Sequence, residues 1–543
     1  MEIEEKFSYW LENVKTEAEV LELKNMTQEQ KDLAFFKDIE FGTAGMRGIV
    51  GLGSNYMNNY TVGKVTQAIA SYMKKTGKKA IAISYDSRNM SFEFAKLASE
   101  ILVQNGILVY LSNGLMPTPF LSYMVRFYGC DMGIMITASH NPKEYNGYKV
   151  YDENGCQLLE EPSSKIMKIA EKIDQFDIKK ADFDECLKQG QIKLSDSKIL
   201  KRYEKEVMAQ SKEKIENIKV LFTALNGTGA TTIPSVLKQC GAEVVLDEIQ
   251  CLPDKNFTTC EYPNPENIKV YEHAEPLARK CMADLIIASD PDADRIGVKV
   301  LHQNKYVYLT GNQIGALIED YLLSLRKKKG GIIVRSIVTS SLADKIAEKY
   351  GAKIEAVLTG FKYVGEFIRG LEIQGKEKDF VLAFEESHGY LAGTYVRDKD
   401  ATVASMLITE VASNLKKKNK TLVDKVNEIF EEFGCFEHEV FAYRFEGESG
   451  LENKQKILKS LRTKQPKSFG CLKVISVLDY SKGVGNLPKS NVLEFQLEQG
   501  AKVIIRPSGT EPLIKVYLTL AETKEKNEEN RIKVKDSLKL IFN

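Results

Sequence analysis

The residue order predicts an α/β protein: three similar domains with mixed or parallel sheets, followed by a C-terminal α+β domain. Two observations carry that expectation. Apolar strands alternate with helical stretches three times, and each round ends at a polar loop just beyond a buried strand. The last hundred or so residues lose this alternation and carry short apolar runs instead. Length sets the scale, since 543 residues exceed what one core organises at about 100–200 residues per domain.

In chain order, residues 1–40 place apolar positions at helical spacing, which predicts one or two amphipathic helices. The run Lys79-Ala80-Ile81-Ala82-Ile83-Ser84 reads as a strand. A helix from Ser91 to Gln104, a strand from Ile107 to Leu111 and a helix around Phe120 to Phe127 follow. They lead into a strand that ends at Ser139. The second round runs from Lys219-Val220-Leu221-Phe222 through the turn Asn226-Gly227-Thr228-Gly229, a helix, and Glu243 to Leu246, to Asp284 through Ala288. The third runs from Gly331 to Val334, through a helix from Ala343 to Lys349, to Phe380 through Phe384. Near-continuous apolar strands imply largely parallel sheets covered on both faces, whose ligands bind beyond the carboxyl ends of the strands. All three polar loops fall at that end. The runs Val474 to Leu478 and Lys502 to Ile505 predict an antiparallel sheet with helices, on a unit able to hinge over substrate. The expected divisions are 1–195, 196–304, 305–425 and 426–543.

Composition narrows the class. A net charge of +1 provides no field that would favour nucleic acid or an anionic membrane. Nine scattered cysteines without a Cys-x-x-Cys pair argue against a disulfide framework and a zinc site. No apolar stretch nears the ~18–20 residues that span a bilayer, and the acidic N-terminus lacks a signal core. The expected location is cytoplasmic, with neither nucleic acid nor membrane as partner.

Four loops carry chemistry. Thr137-Ala138-Ser139-His140-Asn141-Pro142 presents one hydroxyl beyond the apolar run Met132 to Ile136, with a histidine beside it. No Gly-x-Ser-x-Gly elbow occurs, so a hydrolase nucleophile is not supported. Ser289-Asp290-Pro291-Asp292-Ala293-Asp294-Arg295 sets three carboxylates on alternate residues, able to close around one hard cation. An EF-hand fails there, because Arg295 stands where glycine is needed and Leu301 where glutamate is needed. Magnesium suits three carboxylates that leave positions open for a phosphate oxygen and water. A phosphate on Ser139 would bring about −1.5 to −2 charges, answered by that cation and by Arg295 or Lys149. Phe384-Glu385-Glu386-Ser387-His388 offers carboxylates, a hydroxyl and a ring to sugar hydroxyls. In Arg506-Pro507-Ser508-Gly509-Thr510, a planar guanidinium and hydroxyls around a glycine make an anion cradle. Gly42 to Gly48 is a further glycine-rich segment, with Arg47. Dinucleotide and Walker sites are not supported, since Gly227-Thr228-Gly229 and Gly51-Leu52-Gly53 lack the later residues those sites need.

Together these loops resemble the α-D-phosphohexomutase family, which contains phosphoglucomutases and phosphomannomutases. Thr310-Gly311-Asn312-Gln313, Thr359-Gly360-Phe361-Lys362 and Val396-Arg397-Asp398-Lys399-Asp400 are similar to its long branch, which also includes phosphopentomutases and glucose-1,6-bisphosphate synthases. The resemblance implies four domains around one central cleft, the last related to the TATA-binding-protein fold. It implies that Ser139 carries the phosphoryl group and that Asp290, Asp292 and Asp294 hold one Mg²⁺ per chain, with Ser139 completing the shell. Lys149 matches a lysine proposed for proton transfer, and Arg47 an active-site arginine; His140 adjoins the serine. Arg295 follows the aspartates as in family members. Glu385 and Ser387 match sugar-recognition positions. In the shorter branch the pattern is Gly-Glu-x-Ser-Gly-His, whereas here the histidine falls one residue early, at His388. Arg506, Ser508, Gly509 and Thr510 match the loop that holds the phosphate not being transferred.

The implied reaction interconverts hexose 1-phosphate and hexose 6-phosphate (glucose, mannose or both) through a 1,6-bisphosphate that also serves as activator. The implied state is a monomer or dimer whose partner is a sugar monophosphate. Phosphopentomutase and bisphosphate synthase are rival activities. A non-catalytic sugar-phosphate binding protein is a rival class, against which every charged position the chemistry needs is present.

Overall fold

The structure is a computed structural model that describes residues 2–42, 45–327, 329–445, 447–508 and 513–542. Domain I is built on a sheet in the order Phe41–Gly42, Gly45–Ile49, Tyr145–Asp152, Met132–Ile136, Ala80–Tyr85, Leu108–Leu111, Ile192–Leu194. Domain II orders Lys305–Leu309, Ile296–His302, Leu285–Ser289, Lys219–Thr223, Glu243–Leu246. Domain III orders Gly389–Leu391, Phe380–Glu385, Ile332–Ser336, Lys353–Val357.

A common unit runs through all three. A first strand pairs in parallel with a second on one side and with the loop-bearing strand on the other. The loop-bearing strand then turns back into an antiparallel neighbour. The sheets are therefore mixed rather than largely parallel, because each polar loop closes by a hairpin instead of a helical crossover. That hairpin points every loop out of the carboxyl edge of its sheet.

Three further expectations are corrected. Residues 1–40 form three helices, Ile3–Asn13, Glu17–Lys24 and Gln28–Phe35, because Thr16 and Thr27 each open a new capping box. The strand expected to reach Ser139 stops at Ile136, since Thr137 turns its hydroxyl to accept from the Ser139 N–H. Helix Leu422–Phe433 buries Leu422, Val426 and Ile429 in the core shared with domain III, so a boundary at 425 cuts through it.

One continuous apolar core joins domains II and III to the back of domain I. At its centre lies helix Ala401–Lys416, buried at every residue from Ala401 to Ser413, with its buried Glu410 accepting from the Ser211 and Tyr321 hydroxyls. Asp400 caps it by accepting from the Thr402 and Val403 N–H groups, and also takes the hydroxyls of Tyr203 and Tyr395.

Domain IV is a six-stranded antiparallel sheet in the order Glu437–Arg444, Leu513–Leu520, Lys502–Pro507, Leu493–Leu497, Leu472–Asp479, Ser468–Phe469. Helices Gly447–Thr463 and Lys524–Phe542 contribute to a core of its own. A small separate cluster, with Ile337, Val338 and Leu358 against Tyr480, Val492, Ile504 and Tyr517, joins it to domain III. Such a limited joint suits a unit that moves as a body.

Candidate active site

The loops of domains I and II meet at Ser139. The residue is only 2% exposed, and its hydroxyl donates to Asp290 Oδ2 at 2.8 Å and lies 3.2 Å from His140 Nδ1. Ser139 holds φ at 54°, a left-handed conformation that costs a residue with a β-carbon about 1 kcal/mol or more. Surrounding contacts must sustain that cost. Burial, and after it the charges of Arg295 and Arg47, hold the His140 ring well below its ordinary value, so the ring is neutral near neutral pH.

Asp290, Asp292 and Asp294 are buried, and one oxygen from each lies within 4.8 Å of the others. Asp290 Oδ1 accepts the backbone N–H groups of Asp294 and Arg295 at 3.1 and 3.0 Å, which curls the loop on itself. Asp292 Oδ2 accepts from Thr118 Oγ1 at 2.8 Å and from Lys149 Nζ at 2.7 Å. Asp294 Oδ2 lies 3.0 Å from Lys399 Nζ. Burial, then Asp292 and Asp294, push the Asp290 carboxyl well up. Burial also acts to raise Asp292, but Lys149 and hydrogen bonds outweigh it and hold that carboxyl well below its ordinary range. Asp292 Oδ1 and Asp294 Oδ1 are buried without a hydrogen-bond partner. Orphaned oxygens in a crowd of carboxylates fit a hard divalent cation, whose charge would satisfy them.

The Gly227-Thr228-Gly229 turn supports this loop from beneath. Thr228 donates its N–H and its hydroxyl to the Pro291 carbonyl at 2.8 and 2.9 Å. A β-carbon at Gly227 would come within 2.3 Å of Pro291 Cα, so only glycine permits the approach.

Each expected site residue has a definite place. Lys149 lies on the strand paired with Met132–Ile136, and Asp292 and Asp294 keep its ammonium charged despite burial. Arg47, exposed, lies one strand further out and donates to Asn141 Oδ1 at 3.2 Å. Arg295 donates to Glu266 at 2.6 Å. Glu385 Oε1 accepts the Gly360 N–H at 3.0 Å. Ser387 is half-buried on the same loop. Arg506 and Ser508 close the strand Lys502–Pro507 and its exit, where the Ser508 carbonyl accepts from Lys454. Gly509 and Thr510 lie outside the described residues.

His388 departs from the expected sugar contact. Its Nδ1 lies 2.8 Å from the Ile296 carbonyl and its Nε2 3.0 Å from the Tyr308 hydroxyl, and the ring is 3% exposed. A neutral ring that donates from Nδ1 and accepts at Nε2 satisfies both partners, and burial lowers its pKa in keeping with that. The ring joins domains II and III.

Thr118 and Arg88 escaped the sequence reading, and Lys399 was read there as part of a motif with no role of its own. Thr118 and Lys399 complete the aspartate cluster, and Arg88 underlies the serine loop. Arg88 follows the strand Ala80–Tyr85, whose parallel pairing with Met132–Ile136 places the two exits side by side. That adjacency was the available signal.

The family models for the phosphoglucomutase/phosphomannomutase α/β/α domains I, II and III match residues 38–177, 200–303 and 310–433, and that for the C-terminal domain matches 410–535. The chain belongs to the phosphoglucomutase/phosphomannomutase family. A phosphoglucomutase of Staphylococcus aureus (strain MRSA252) is 35% identical over 529 residues, covering 92% of this chain and 93% of its own. A putative phosphomannomutase from Thermus thermophilus superposes with a TM-score of 0.71 at 20% identity, over 93% of this chain and all of that one. The open form of pp63/parafusin, a phosphoglucomutase from Paramecium, gives 0.68 at 21%, over 93% and 95%. These two structures share the fold. As a family member the chain is a mutase, a phosphotransferase that acts as an isomerase in carbohydrate metabolism. No helix among the described residues is long and apolar enough to cross a membrane.

Proposed function

We propose that this mutase interconverts hexose 1-phosphate and hexose 6-phosphate, with glucose, mannose or both as the sugar, through a phosphorylated Ser139 and a 1,6-bisphosphate intermediate. One observation carries the reading: the buried Ser139 hydroxyl lies 2.8 Å from a carboxylate of the three-aspartate cluster. A phosphoserine there would be intolerably anionic without a cation shared between them. Asp290, Asp292 and Asp294 would hold one Mg²⁺ per chain, which supplies neutralisation of phosphoryl charge when bound.

The remaining steps belong to the chain's own groups. The free sugar hydroxyl attacks phosphorus, the bond to Ser139 Oγ breaks, and the proton of that hydroxyl ends on Oγ. His140 Nδ1 is within hydrogen-bonding reach of Oγ to relay it. The bisphosphate turns over, and Oγ then takes the other phosphoryl group while the proton returns to the released hydroxyl. Glu385 and Ser387 hold sugar hydroxyls, and Arg506 with Ser508 grips the phosphate not in transfer. Arg506 pairs with Lys515 across the sheet at the end of the strand Lys502–Pro507. Transfer of this kind depends on placement and charge neutralisation. A 1,6-bisphosphate primes enzyme that has lost its phosphate, and the protein works in the cytoplasm as a monomer or dimer.

The test is a coupled mutase assay on glucose-, mannose-, ribose- and deoxyribose-1-phosphates, with and without glucose 1,6-bisphosphate. Hexose turnover stimulated by the bisphosphate is expected, with a loss of about 10³-fold or more in Ser139→Ala. A fully active Ser139→Ala enzyme would end the reading, and a preference for pentose phosphates would replace the substrate.

A further inference from the structure

Arg88 belongs to none of the motifs above, yet the serine loop is folded around it. One terminal nitrogen donates to the carbonyls of Pro142 and Tyr145 at 2.8 and 3.2 Å. The other donates to the carbonyls of Ser139 and Asn141. Four peptide oxygens from one short stretch thus converge on a single planar cation that is 3% exposed. Asp86 holds the opposite edge: its Oδ2 lies 3.3 Å from Arg88 Nε, and its Oδ1 accepts the Arg88 N–H and the Ser91 hydroxyl. From domain II, the Phe257 ring, 1% exposed, lies 5.0 Å from the guanidinium carbon. The cation therefore sits at the seam between the domain that supplies Ser139 and the domain that supplies the aspartates.

These contacts govern the backbone at position 139. The Ser139 carbonyl is held by Arg88 and its N–H by Thr137 Oγ1, so both peptide groups that define its left-handed φ of 54° are fixed. A guanidinium suits the task because it offers five donors in a rigid plane. Lysine would keep the charge but spread three donors tetrahedrally, and methionine would keep neither.

We infer that Arg88, capped by Phe257, is a positioning residue for phosphoryl transfer, which fixes the 139–145 loop so that Ser139 Oγ faces Asp290, Asp292 and Asp294. It touches no reacting atom. Substrate grips the loops of domains III and IV, so disturbing Arg88 acts on the transfer rate and leaves KM alone. The inference rests on the phosphoserine reading above.

The experiment mixes full-length wild type, Arg88→Lys, Arg88→Met and Phe257→Leu with ³²P-labelled glucose 1,6-bisphosphate. It follows acid-stable label on the protein, together with kcat, KM and thermal melts. Failure of wild type to take label would defeat the phosphoserine reading, and this inference with it. Given wild-type labelling, Arg88→Lys should label and turn over about 100-fold more slowly, the order of loss that follows a misplacement of about 1 Å. Its KM should stay within about threefold, at temperatures where the melt shows it folded. Phe257→Leu should fall between it and wild type, and Arg88→Met should be slower still. Should Arg88→Met not fold, the other two variants decide the matter. Wild-type labelling and turnover in folded Arg88→Lys, or a defect confined to KM, would overturn the assignment.

Discussion

Lys149 and Asp292 are paired across a domain boundary, with Nζ 2.7 Å from Oδ2. The same ammonium lies 3.6 Å from Asp294, which Lys399 approaches from domain III to 3.0 Å. Two lysines from two domains thus converge on buried carboxylates from a third, where Arg295 Nε also lies 3.8 Å from Asp294 Oδ1.

That buried pair makes a prediction for Lys149→Met. Removing one partner of a buried pair leaves uncompensated charge, at a cost of about 3–5 kcal/mol. The metal-free variant should therefore melt well below wild type. Mg²⁺ should recover much of the difference and bind at least about tenfold more tightly, because a competing cation has gone. Turnover should fall as well. Titration calorimetry and melts with and without Mg²⁺ check this, and weaker Mg²⁺ binding by the variant would contradict it.

Asp292→Asn addresses the metal from the other side. It removes the ligand charge while leaving amide atoms for Thr118 and Lys149 to approach. Chelation should abolish wild-type turnover, and Mg²⁺ should restore it. The variant should need about 10–100-fold more Mg²⁺ for half its maximal rate. Activity that survives exhaustive chelation would exclude a metal role for the cluster.

These sites were legible in the sequence to different degrees, for physical reasons. Alternate aspartates after an apolar strand fix their own geometry, because period and strand exit are both local. Ser139 was visible for the same reason. Thr118 was not, and Lys399 was visible only as part of a motif, since each joins the cluster through tertiary contact with no spacing to announce it. His388 shows the converse, a residue whose motif suggests a ligand while its two ring nitrogens are spent on Ile296 and Tyr308. The repeated strand-helix grammar exposed the first three domains, whereas the hairpin closing each sheet hid behind strands as apolar as any parallel one.

Arg506→Ala should raise KM for the sugar phosphate about 10–100-fold and leave kcat within about fivefold. The proposed guanidinium–phosphate contact would be made in ground and transition state alike, because that phosphate is not the one in transfer. Steady-state kinetics at saturating Mg²⁺ check the split. A loss carried by kcat alone would place Arg506 at the transferring phosphate instead.

Glu386 makes stability depend on pH. Burial first, and the neighbouring Glu385 second, push its carboxyl from 4.5 up to about 7, while Ser336 and Thr339 both donate to Oε2 at 3.2 Å. A carboxyl raised on folding binds more protons native than unfolded between those values, so stability falls as pH climbs through that window. Its contribution is fully present below about 4.5 and lost above about 7. The full gap corresponds to about 3 kcal/mol, and water at this half-buried group reduces it. Glu386→Gln cannot ionise, so between pH 5 and pH 8 it should gain about 1–3 kcal/mol relative to wild type. Denaturant melts of both proteins at the two pH values measure this directly. Parallel pH dependence would mean that the Glu386 charge is accommodated in the fold, with Lys502 and Arg335 of the same joint the first groups to examine.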